Sequence, residues 1–229
     1  MIHDKKEFGI GLALMAGFFV VLFAIFSPVL EGGKNTIDYL DGVFNSISKN
    51  SAYFIPDLAE KAKKHEGAAV QFAVKATDAG QAERMQKLFT TADATVAVEG
   101  AKLVVSGDLG RMLNAALADA DLMFKNEGEA VSAKYGVEAK RALYDWHRAL
   151  GAMAKDLDRQ SNYAAGKSVR DVQTKGVEPA YNYYGIKAIP MSNMLWVVLA
   201  ALVGYVLYTI WYGYAILFMF EGWGLKLEH

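Results

Sequence analysis

Two uncharged runs frame this chain. Residues 9–30, GIGLALMAGFFVVLFAIFSPVL, hold 22 positions without a charge, and residues 194–220, MLWVVLAALVGYVLYTIWYGYAILFMF, hold 27. A helix rises about 1.5 Å per residue and a bilayer's hydrocarbon core is about 30 Å thick, so about 20 such residues suffice to cross it. A lone segment in lipid satisfies its own amides only as a helix, and both runs are therefore predicted to be transmembrane helices. Trp196 and Trp223 flank the second run at the level where indoles favour the headgroups. The first run is longer than the core of a cleaved leader, and Ser27-Pro28-Val29-Leu30 is a poor cleavage site, which predicts an uncleaved signal anchor ending at Pro28 and Gly32-Gly33.

Between the runs the period changes several times. Ile37, Leu40, Phe44 and Ile47 recur at helical spacing over 35–49, with Asn35 or Thr36 as the cap, and a short helix follows Pro56. Residues 68–76 alternate, with Val70, Phe72 and Val74 on one face, and read as a strand. Thr77 or Asp78 caps a helix running to about Thr90. Residues 94–98 and 102–106 alternate about Glu99-Gly100 and read as a hairpin. From Asp108 to about 175 the pattern is helical, broken near Asn126–Gly128. Its second stripe runs through Tyr135, Ala139, Ala142, Leu143, Trp146, Leu150, Met153 and Leu157. Pro179 and Pro190 disfavour a continuous helix over the return 176–190, where Tyr181, Tyr183 and Tyr184 cluster and suit the interface.

The fold class expected is thus a membrane protein. Two transmembrane α-helices flank a mostly helical α+β extramembrane domain that carries a small three-stranded βαββ unit. The expected division is a short cytoplasmic tail (1–8), transmembrane helix 1 (9–30), the α+β domain (34–190), transmembrane helix 2 (194–220) and a short tail (221–229). Lys5 and Lys6 before the first span favour both termini in the cytoplasm of an inner (plasma) membrane, with the central domain extracytoplasmic. The closing Leu227-Glu228-His229 looks like the remnant of an affinity tag, and no room for a signalling output module follows the second span.

Composition narrows the chemistry. A net charge of −1 argues against nucleic acid as a partner, and the absence of cysteine removes disulfides, thiolate metal sites and iron–sulfur clusters. His3, His65 and His147 have no partner at metal-ligand spacing, and Lys61, Lys63 and Lys64 read as a solvated helix end. Asp119 with Asp121, and Asp156 with Asp158, lie two apart on predicted helices and so point apart. No phosphate-binding glycine loop or nucleophile elbow is present. No enzyme activity, cofactor or metal is expected.

What remains is helix packing. Gly9, Ala13 and Gly17 on the first span, and Ala200 and Gly204 on the second, are small residues four apart. Such spacing allows close backbone approach in lipid. Tyr205, Tyr208, Thr209, Trp211 and Tyr212 add a polar-aromatic stripe. The functional expectation is a homo-oligomer in the bilayer with a channel or transport role. The alternative is an accessory subunit of a larger transporter or redox complex, or a membrane-anchored scaffold that binds a ligand.

Overall fold

Asp4 starts the first helix: its carboxylate accepts from the amides of Lys6 and Glu7 at 2.8 and 3.1 Å, as an N-cap acid should. In this computed structural model, which describes residues 2–225, helix α1 runs Lys5–Phe26, and the tag-like 227–229 lie outside the described residues. The architecture is mostly helical with one small three-stranded antiparallel sheet. The chain divides into two compact units, 1–47 with 188–229, and 48–187.

The first unit contains both candidate spans. Asn35 and Asp38 cap the start of α2 (Thr36–Ser51) reciprocally, each side chain accepting from the other's amide. Most of α2 falls in this unit, and the second unit begins at Ser48. The 33-residue helix of this unit, α10 (Met191–Trp223), follows Pro190 and stops at Gly224, whose φ of 88° suits glycine. By length and composition, the helices Lys5–Phe26 and Met191–Trp223 are each apolar enough to cross a membrane.

The second unit is built around the sheet. Its elements in order are α3 (Ile55–Lys63), β1 (Ala69–Lys75), α4 (Ala79–Thr91), β2 (Thr95–Glu99), β3 (Lys102–Asp108), α5 (Leu109–Phe124), α6 (Gly128–Tyr135), α7 (Ala139–Arg159), α8 (Tyr163–Val172) and α9 (Glu178–Asn182). Strand β3 is central: Val105 faces Phe72 on β1 and Val96 on β2. Gly100, with φ 62°, turns the β2–β3 hairpin. Asp78 and Asp108 cap α4 and α5 by accepting from the amides of Gln81 and Arg111. Phe72, Val74, Leu103 and Val105 are buried in one core with Leu143, Trp146, Leu150 and Met153 of α7. Phe89 meets both Phe72 and Trp146 edge to face.

Two features depart from the sequence expectation. The stripe from Tyr135 to Leu157 is two helices, because Gly136 takes a left-handed φ of 70° and closes α6. The return segment is not helical over 183–190, but helix runs past Pro179 to Asn182. A π turn at Gln173–Val177 widens the backbone after α8, and Pro179 then sits in the first turn of α9, where a missing N–H costs nothing.

Candidate functional site

In the first unit α1 and α10 pack along each other, and the contact is made by glycines. A Cβ added at Gly11 would lie 2.6 Å from the Met219 amide nitrogen and 2.9 Å from the Ala215 carbonyl oxygen. Gly222 is closed off in the same way by Phe8, and at Gly17 a Cβ would come within 3.0 Å of the Trp211 ring. Two members of the polar-aromatic stripe spend their polar atoms here. Trp211 Nε1 donates to the Leu14 carbonyl at 3.1 Å, and the Tyr208 hydroxyl donates to the Phe18 carbonyl at 3.0 Å. The Phe18 ring stacks on Tyr208 at 4.3 Å and tilts against Tyr212 at 5.0 Å. Thr209 bonds back to the Tyr205 carbonyl of its own helix, and Tyr205 is exposed.

The small residues singled out by spacing thus divide. Gly17 is inside the hairpin contact. At Gly9 and Gly204 an added Cβ would have nothing within 4 Å, and Ala13 and Ala200 are exposed. Gly11 and Gly222 escaped the search because neither has a small neighbour four residues away on its own helix. What opposes each is a residue of the other helix.

No known protein family, characterised protein or solved structure matches this chain. Functional reading therefore starts from the side chains of the second unit.

Three charged residues are buried there. Asp119 accepts from the Tyr135 hydroxyl at 2.6 Å, Trp146 Nε1 at 2.8 Å and Lys134 Nζ at 2.8 Å. Burial first, and the Asp119 charge second, push the Tyr135 phenol far above its usual value, so it remains a donor. Asp145 accepts from Gln81 Nε2 at 2.9 Å and Arg84 Nε at 2.6 Å, tying α7 to α4. Lys49 is 2% exposed and donates to Asn126 Oδ1, the Tyr183 carbonyl and the Ile186 carbonyl at 3.0, 3.1 and 2.7 Å, with its Nζ 5.2 Å from the Phe124 ring. Burial lowers its pKa from the usual 10.5. Each group has its hydrogen bonds, which is how cores hold charge. They are structural ties.

The carboxylate pairs do point apart. Asp121 takes the Tyr53 hydroxyl at 2.6 Å on the surface while Asp119 is buried, and Asp156 accepts from the Ala73 amide while Asp158 pairs with Arg170. His65 meets Ser168 Oγ at 2.8 Å. Among the described residues no group of three His, Asp or Glu side chains is placed to hold a metal ion.

His147 leads to the open site of this unit. It lines a groove of about 350 Å³ together with Lys75, Arg148, Lys155, Arg170 and Gln173, over a floor of Gly151, Ala152 and Ala154. Helix α7 supplies the floor, α8 and the π turn one wall, and the end of β1 the other.

Proposed function

We propose that this chain is a two-span subunit of a membrane assembly, formed with further copies of itself or with another membrane protein. On this reading α1 and α10 form a hairpin in the bilayer and the 48–187 unit works outside the lipid. The observation that carries it is the hairpin's outer surface. Phe23 is 78% exposed and Trp196 81%, and large apolar side chains continue along both helices with no protein over them. A water-exposed apolar surface of that extent marks a membrane or a partner.

The assembly part rests on the small residues left open. The hairpin makes its own contact through Gly11, Gly17 and Gly222, while Gly9, Ala13, Ala200 and Gly204 stay uncovered. In lipid, close approach of backbones drives association, and these positions permit it for a neighbouring helix. A conducting path has less support: neither span carries an ionisable charge over 9–30 or 194–220, and Tyr208 and Trp211 use their polar atoms on α1 carbonyls. Docking is favoured over transport. Lys5 and Lys6, in the first turn of α1, favour cytoplasmic termini and an extracytoplasmic 48–187 unit in an inner membrane.

The test is native mass in nanodiscs. The wild type is expected at a multiple of 25.1 kDa. Gly9→Leu combined with Gly204→Leu should lower that multiple, whereas Gly11→Leu should disturb the hairpin itself. A wild-type mass of one subunit would refute self-association, and extraction by alkaline carbonate would refute insertion.

A further inference from the structure

The groove on α7 concentrates positive charge in a chain whose net charge is −1. Arg148, Gly151, Ala152 and Lys155 recur at three and four residues and so share one face of the helix. Lys75 at the end of β1, and Arg170 with Gln173 across from it, complete the lining, and no acidic residue is part of it. Arg170 is held by Asp158, Nη1 to Oδ2 at 2.5 Å. Among the described residues, Lys75, Arg148 and Lys155 form no ion pair. His147 Nε2 lies 3.8 Å from Glu178 Oε2.

The groove is also shaped by what is missing. Gly151 lets Gln173 lie across α7, where its Nε2 donates to the His147 carbonyl at 3.0 Å; a Cβ at 151 would come within 2.8 Å of that nitrogen. The result is a shallow floor of small residues rimmed by long cationic side chains. Three uncompensated cations converging on a concavity raise the local concentration of anions. Arginine forks match phosphate oxygens in pairs, and ammonium groups add point charge. A volume of about 350 Å³ falls in the range of small-molecule sites.

We infer that this groove binds a small, multiply charged phosphate-bearing anion, either free in solution or as a phospholipid headgroup. The site lies wholly within the 48–187 unit and does not depend on the assembly reading.

The full chain in nanodiscs of zwitterionic lipid, titrated calorimetrically with inorganic pyrophosphate, tests it. Saturable one-to-one binding is expected. Arg148→Ala with Lys155→Ala should weaken it at least tenfold with the melting curve retained, since both side chains are exposed. Lys61→Ala with Lys63→Ala, on α3, should not. If pyrophosphate does not bind, water-soluble dihexanoyl phosphatidic acid binding with the same dependence on Arg148 and Lys155 would support the headgroup source. Failure of both probes to bind saturably, or equal binding by the Arg148/Lys155 variant and the wild type, would overturn the inference.

Discussion

Removing the Asp119 carboxylate should be the most damaging small change in the 48–187 unit. Asp119→Ala takes the acceptor from two buried donors, the Tyr135 hydroxyl and the Trp146 indole N–H, both of which donate to Asp119. Each unpaired buried donor costs about 1–3 kcal/mol, so the pair amounts to about 2–6 kcal/mol. Lys134 adds little, because its side chain is 33% exposed and can turn to water. Asp119→Asn keeps one oxygen for the two donors but reduces two charge-assisted bonds to neutral ones, a loss of about 2 kcal/mol. The fragment 48–187 suits the measurement, because Trp146 is its only tryptophan. Urea titration followed by its fluorescence should give a midpoint order of wild type, then Asn, then Ala. If Asp119→Ala unfolds within 1 kcal/mol of the wild type, the carboxylate is not what ties α5, α6 and α7 together.

Two predictions concern pH. The folded Lys49 ammonium loses its proton below 10.5 while the unfolded chain still holds one, so stability from this group rises with pH in the window just under 10.5. Subtracting the urea-derived profile of Lys49→Gln from that of the wild type should leave this rise, and a flat difference would refute it. The Asp108 carboxyl is held below its usual 3.8, first by the Arg111 amide and also by that of Gly67. Its contribution is present above 3.8 and lost as pH falls through the lower folded value; Asp108→Asn, still a helix cap, should flatten that acid limb.

Much of the fold was legible because single residues set its boundaries. Asn35, Asp78 and Asp108 cap the helices that follow them, Gly100 turns the hairpin, and Val70, Phe72 and Val74 alternate along β1. The Gly136 break was hidden because Tyr135 and Ala139 keep apolar spacing across it, so periodicity sees one stripe where the chain makes two helices. Pro179 misled for a different reason: its usual meaning as a helix breaker fails at a first turn. The site residues were harder to find. Arg148 and Lys155 drew no attention in the sequence, because only the fold brings Lys75 of β1 and Arg170 of α8 beside them, and that proximity spans residues far apart in sequence. The burial of Asp119 and Lys49 was equally unreadable, because their partners are brought close only by tertiary packing.

One outer strand of the sheet has its margin closed by Asp156 of α7 and by Gln160 just past its end. Asp156 accepts from the Ala73 amide at 3.0 Å, and Gln160 Nε2 donates to the Gln71 carbonyl at 2.8 Å. Open strand margins are where sheets of separate molecules fuse into aggregates. With β1 occupied in this way, any additional strand, whether from a peptide or a neighbouring copy, must join at β2. Each sheet thus keeps one open side, and the direction in which sheets can grow is fixed by two polar side chains, one on α7 and one just past its end.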